Sequence, residues 1–173
     1  MNKSMQNDMG SKRGVVITVI ILIAITIASF SVWIGNNTTN TEMTIVVTDF
    51  ENHQEGISER HKIISNAVGE SFSELINDQI STEEYIRIAE ISSSQNNSLL
   101  IELAYSDAPE EWQKSYINRI ASLKSFEAYI IETMVIANVS DINGEQGTEI
   151  LNNIEKFKEE YIQYGQMADT AKP

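Results

Sequence analysis

Cysteine is missing from this chain, and proline nearly so, with two residues in 173. Without cysteine there is no disulfide, no thiolate metal site and no thiol nucleophile, so any folded part must rest on an apolar core. Two prolines and eight glycines leave few turns for a strand-rich architecture and favour long helices. Histidine is scarce as well, with only His53 and His61. No glycine-rich phosphate loop and no Ser/His/Asp order stands out, so an enzyme is not expected and no cofactor is expected.

Basic residues are also few. The net charge is −13, and it is unevenly spread. Lys3, Lys12 and Arg13 against Asp8 make residues 1–14 locally positive by +2, leaving −15 on the remainder. A surface of that sign repels nucleic acid and anionic headgroups, and it favours cations or a basic protein partner. It bears on partners and solubility, not on fold.

What is present in quantity is one long apolar run. From Val15 to Ile34 no residue is charged, and the only polar side chains are hydroxyls. A helix of about twenty residues spans about 30 Å, the thickness of a bilayer's hydrocarbon core. Lys12 and Arg13 precede it, Trp33 stands near its far end, and acid-rich sequence follows. The positive-inside rule then predicts residues 1–14 in the cytoplasm, a transmembrane helix over 15–34 and the rest of the chain outside. A cleaved secretory signal fits less well, because apolarity continues past the small residues Ser29 and Ser31. "KRGVV" also resembles an archaeal type IV pilin signal, which would place a cut after Gly14. The retained anchor is the reading preferred, and the pilin-like subunit its alternative.

Residues 35–47 read as a polar tether, with "TIVV" a short strand or an apolar lead-in. Four helical segments fill 48–168, before a tail over 169–173. The first opens at Thr48 as N-cap, with Glu51 closing a capping box, and carries Phe50, Ile57, Ile64, Val68, Phe72 and Leu75 on one face. The second opens at Ser81 with Glu84 at the box position and Ile80 and Tyr85 as a hydrophobic staple. Its stripe is interrupted by "SSSQNNS", Ser92 to Ser98, read as a kink or a loop that splits the helix. The third opens with Asp107 as cap and Pro109 in the first turn. Its buried side carries Trp112, Tyr116, Leu123, Phe126 and Ile130, and its second half is apolar on most faces. The fourth carries Ile150, Ile154, Phe157, Tyr161, Tyr164 and Ala168 at heptad-like spacing. Short connections between long helices predict an all-α, up-and-down antiparallel four-helix bundle behind an N-terminal transmembrane helix.

The chemistry on offer is thin. Asp49, His53 and His61 are candidate metal ligands, the histidines eight residues and roughly 80° apart around the helix. A metal needs a third converging ligand, so the preferred reading is two surface histidines in an acid-rich stretch. "DINGEQGTE" alternates Asp141, Asn143, Glu145 and Glu149 like an EF-hand loop, but Gln146 replaces the required glycine and Asn152 the bidentate Glu. A solvated turn is the better reading. Tyr85, Trp112, Tyr116, Tyr129, Tyr161 and Tyr164 could line a pocket, yet at helical spacing they read as core. Glu51, Glu55 and Glu59 read as a solvated face. Asn36, Asn37 and Asn138 are the glycosylation sequons expected to be accessible, and Asn96 is a fourth.

Taken together, "SKRGVVITV", "AITIASFSVW", "VVTDFENH" and "IAEISSS" resemble single-span membrane proteins of ammonia-oxidising archaea to which no activity is assigned. The resemblance covers the apolar segment and the first two outer helices. It implies a membrane anchor and an outer helical domain, and it transfers no site residues. The expected role is therefore a binding or structural module at the cell envelope, meeting an envelope protein or cations through its acidic surface. A ligand-sensing bundle that signals through a partner is the alternative.

Overall fold

The computed structural model describes residues 45–139, 142 and 144–173. The expected transmembrane helix, Gly14, Asn36, Asn37, Asp141, Asn143 and most of the tether lie outside them. All described residues belong to the second of two units into which the chain divides, residues 43–173. Among the described residues there are four α-helices and no strand: α1 (Phe50–Ile76), α2 (Thr82–Ala104), α3 (Glu110–Ala137) and α4 (Glu145–Thr170). No helix among them is long and apolar enough to cross a membrane. The "TIVV" lead-in forms no strand; Ile45 N–H donates instead to the Tyr105 carbonyl at 2.8 Å.

Each helix begins for a local reason. Ser81 caps α2 as expected, its hydroxyl accepting from Glu84 N–H at 3.1 Å. At α1 the cap is Asp49 rather than Thr48. Its carboxylate takes Asn52 N–H at 3.0 Å, and a carboxylate suits the positive helix end better than a hydroxyl does. At α3 the expected Asp107 cap is not made. Asp107 sits in the left-handed region (φ 45°), and Pro109 is the N-cap residue, its carbonyl accepting from Trp112 and Gln113.

α1 ends in a Schellman motif. Gln79 N–H bonds the Glu74 carbonyl at 2.8 Å and Asp78 N–H the Leu75 carbonyl at 3.0 Å, with Asp78 left-handed at φ 55°. That position favours glycine, so Asp78→Gly should stabilise the domain by about 0.5–1 kcal/mol in urea unfolding. Gly147 is constrained in the opposite sense. A Cβ there would fall closer to the Ile142 carbonyl than real Cβ atoms come. Gly147→Ala should cost about 1–2 kcal/mol, the peptide at Ile142 having to give way.

Hydrogen bonds across the seams show successive helices running antiparallel. The start of α1 meets the end of α2 through His53 and Glu102, and Thr82 on α2 reaches the Ala137 carbonyl that ends α3. Ser115 on α3 donates to the Ala168 carbonyl near the end of α4 at 2.8 Å. α3 is the hub, packing on all three others, as its all-round apolar second half predicts. Leu123, Phe126, Ile130 and Ile136 on α3 are fully buried with Ile57 and Val68 of α1 and Tyr85 and Leu99 of α2. The backbones of α1 and α4 hardly approach, and side chains bridge the space between them, the His61 ring lying 5.7 Å from that of Tyr161.

Two boundaries differ from expectation. α2 runs unbroken through Ser92–Ser98. Ser92, Gln95 and Asn96 are buried there, and α3 supplies partners for part of the polar run, although Asn96 Oδ1 is left without one. Asn96 Nδ2 donates to the Leu123 carbonyl at 2.9 Å and to Glu127 at 3.0 Å, and the Ser93 hydroxyl donates to Glu127. A polar stretch need not break a helix when a neighbouring helix supplies the partners. α4 continues to Thr170, beyond the expected end at 168, and its last turn carries Asp169, which pairs with the buried Arg119.

Candidate functional site

Two polar groups lie toward the end where α1 and α3 begin and α2 and α4 finish. His53 stands at the centre of the first group. Its Nδ1 lies 2.7 Å from the Tyr116 hydroxyl and its Nε2 3.0 Å from Glu102 Oε1. Arg60, two turns along α1, closes a fork on the same carboxylate, with Nη1 and Nη2 each 2.8 Å from its two oxygens. Phe50 packs against both Tyr116, at 6.0 Å between ring centres, and Trp112, at 6.4 Å.

The charges fix the proton positions. Burial pushes the Glu102 carboxyl up, but the hydrogen bonds from His53 and Arg60 outweigh it and bring its pKa to about 2. An ionised Glu102 only accepts, so His53 donates to it through Nε2–H, and its Nδ1 shares a hydrogen bond with the Tyr116 hydroxyl. Tyr116 is 3% exposed, and burial raises its hydroxyl to about 12 despite a hydrogen bond with Ser106. The Tyr116–His53–Glu102–Arg60 chain of hydrogen bonds clamps α1, α2 and α3 together.

A second group lies one residue further round α1. Arg119 of α3 is 2% exposed, yet it carries a guanidinium. Its Nε is 3.3 Å from Gln54 Oε1 and its Nη2 2.5 Å from Asp169 Oδ1. Gly165, one turn before Asp169, lies beside the guanidinium, where a Cβ would make ordinary contact with the Ser122 hydroxyl at 3.5 Å and Arg119 Nη1 at 3.6 Å. His61 sits two turns beyond Gln54 and is 6% exposed, edge-on to Phe126 at 4.8 Å and Tyr161 at 5.7 Å. Its Nε2 and the Gln54 Nε2 are buried without a hydrogen-bond partner. Burial, and then the Arg119 charge, lower the His61 pKa to about 4.

The three candidate metal ligands are thus separated. Asp49 is exposed and caps α1, His53 is held by Tyr116 and Glu102, and His61 is among aromatic rings. Among the described residues no three His, Cys, Asp or Glu are grouped to hold a metal ion. The surface placement expected for both histidines is corrected: His61 is buried and His53 nearly so. Periodicity carried the signal, since His61 falls between Ile57 and Ile64 on the apolar stripe, as Gln54 falls between Phe50 and Ile57. Arg119 likewise falls between Tyr116 and Leu123. Glu51, Glu55 and Glu59 are exposed, as expected of a solvated face.

Of the aromatics, Tyr85, Tyr116 and Tyr129 are core, while Trp112, Tyr161 and Tyr164 are half-buried. Tyr129 and Tyr161 also floor an open groove of about 500 Å³ along the α1–α4 seam, walled by Asn66, Gly69 and Ser73 of α1 and Lys158 of α4. Of the described sequons, Asn138 is the exposed C-cap of α3, whereas Asn96 is buried and closed to a glycan in the folded domain. Glu145 and Glu149 lie on the exposed first turns of α4. No protein-family model matches the chain, and no curated protein or solved structure was found similar to it.

Proposed function

We propose that the chain is a membrane-anchored helical domain, held by residues 15–34 with residues 1–14 in the cytoplasm, acting outside as a binding or structural module of the cell envelope. The observation that carries this reading is the junction between two unlike parts. An uncharged twenty-residue run with Lys12 and Arg13 before it is followed, within about fifteen residues, by a bundle whose outer faces are charged and acidic. The acidic faces favour cations or a basic envelope protein as partner and disfavour nucleic acid. The likeness of "SKRGVVITV" and "VVTDFENH" to single-span archaeal membrane proteins supports the same location.

Ligand sensing through a partner is the second reading, and the α1–α4 groove is what favours it. A pilin-like subunit would share the stem but lose residues 1–14. Intact mass and N-terminal sequence of the protein from native membranes separate these. A chain that keeps Lys12 and Arg13 is an anchored protein. A mature chain beginning at Val15 makes the stem a filament stem and overturns the anchor.

A further inference from the structure

The groove between α1 and α4 is bounded on its α1 side by Gly69, inside the helix. Nothing stands within 4 Å of the place its Cβ would occupy, as is also true of Gly56 on the same helix, so no neighbouring helix demands either glycine. At Gly69 the missing side chain leaves the groove wall bare to the backbone.

The groove's chemistry is specific. Of its eleven lining residues, seven are Ser, Asn, Gly or Tyr. That mixture supplies adaptable hydrogen bonding beside large, stiff amphipathic rings, as it does in antibody paratopes. Tyr161 is the half-buried ring of the floor, held by edge contacts with Phe126 at 5.2 Å, Tyr129 at 5.9 Å and His61 at 5.7 Å. Burial, and after it other groups including Glu155, raise the pKa of both tyrosines, so their hydroxyls are neutral donors. Ser65 and Asn77 turn their polar groups back on α1 carbonyls, leaving exposed Asn66 and Ser73 to face a ligand.

Charge narrows the ligand class. The lining holds one carboxylate, Glu70, and one ammonium, Lys158, in a chain of net charge −13. No arginine is present to clamp a phosphate, and no second carboxylate to clamp a cation. A lipid tail would bury hydroxyls and amides without partners. A neutral, many-hydroxyl ligand satisfies the rim and covers the rings, and about 500 Å³ falls within the range of small-ligand sites. We propose that the α1–α4 groove binds a neutral saccharide chain, with Tyr161 as the ring on which a sugar face rests and Asn66 and Ser73 as its hydrogen-bonding rim. This deepens the proposed binding role and rests on the domain facing the outside, where envelope saccharides lie.

The test uses the full chain in lipid nanodiscs, free of glycoside detergent, with cellotetraose, mannotetraose and N-acetylchitotetraose as probes in saturation-transfer NMR. At least one probe should bind, and Gly69→Leu should weaken it by about tenfold or more, leucine filling the groove. The same variant should melt at or above the wild type, since leucine is the better helix former and meets open space. Tyr161→Ala should also reduce transfer. No transfer from any probe at millimolar concentration, binding that survives Gly69→Leu, or capture only of a charged probe such as glutamate would overturn the saccharide site. If binding fails while the domain is shown to lie outside, the groove assignment alone falls. A domain shown to lie inside removes the location on which it rests.

Discussion

Lowering the pH from about 6.5 to 4 should strip about 3 kcal/mol from the stability of the helical domain, with His61 as the cause. In the unfolded chain His61 takes up a proton near its ordinary pKa of 6.5; in the fold, burial beside Arg119 holds that pKa at about 4. The folded pKa is the lower one, so the stabilisation is complete above 6.5 and is lost as pH falls towards 4. Every charged or titratable group described around the ring acts the same way or is neutral: Arg119 from α3 repels the proton, and Tyr161 from α4 offers no counter-charge. Below about 4.5 the loss should continue as Glu102 is protonated out of its fork with Arg60, since its folded pKa is also depressed.

His61→Leu isolates the effect. Leucine is close in volume and brings no orphaned ring nitrogen, so the variant should be at least as stable as the wild type at pH 7. Its stability should be nearly flat between pH 6.5 and 5. Urea unfolding followed by far-UV circular dichroism across that range is the check. A wild-type stability that does not change from pH 7 to 5 would contradict the burial of His61.

The second large effect is an asymmetry within one ion pair. Arg119 is 2% exposed, whereas the Asp169 side chain is 51% exposed. Deleting the aspartate leaves a buried guanidinium with Gln54 as its remaining described partner; deleting the arginine leaves a carboxylate that water can hydrate. Breaking a buried pair costs about 3–5 kcal/mol, and the solvent at Asp169 screens part of that, so Asp169→Ala should cost about 2–3 kcal/mol. Arg119→Met, apolar and similar in length, should be near neutral or slightly stabilising. If Arg119→Met proves the more costly change, the guanidinium has a role that the Asp169 and Gln54 contacts do not describe.

Much of this fold was legible in the residues, and most of the unread part has one physical origin. The Ser81 and Glu84 pair marks the start of α2 because a cap is made within four residues. The stripes of α1 and α3 identify core positions such as Ile57, Val68, Leu123 and Phe126 because a helix repeats its own faces. What periodicity does not carry is pairing. His53 finds Tyr116 sixty-three residues on, and Asn96 finds Glu127 thirty-one residues on. The polar run at Ser92–Ser98 looks like a break only until Glu127 and the Leu123 carbonyl are known to face it. The position of Asp107 was unreadable for a different reason: its left-handed turn moves the start of α3 to Pro109, and an aspartate followed by Ala-Pro offers no glycine to announce it. At the polar end, charged and aromatic residues inside an apolar stripe were the available sign. Gln54, His61 and Arg119 each occupy a core slot, and each is buried there.

The two polar groups each join three helices at this end of the bundle. Residue 45 is tied to the end of α2 by its backbone, and within three turns the clamp of His53, Tyr116, Glu102 and Arg60 locks α1 to α2 and α3. Hydrogen bonds and fork-shaped ion pairs are directional and resist sliding where apolar contacts do not.

The central claim is that residues 1–14 and the bundle lie on opposite sides of a membrane. The chain's lack of cysteine makes a direct measurement available. Ser4→Cys and Glu159→Cys each place a single thiol, the second on an exposed face of α4. A membrane-impermeant maleimide applied to intact cells should label Glu159→Cys fully and Ser4→Cys only after lysis. Labelling of Ser4→Cys in intact cells, with Glu159→Cys protected until lysis, would contradict the account by turning the domain inside.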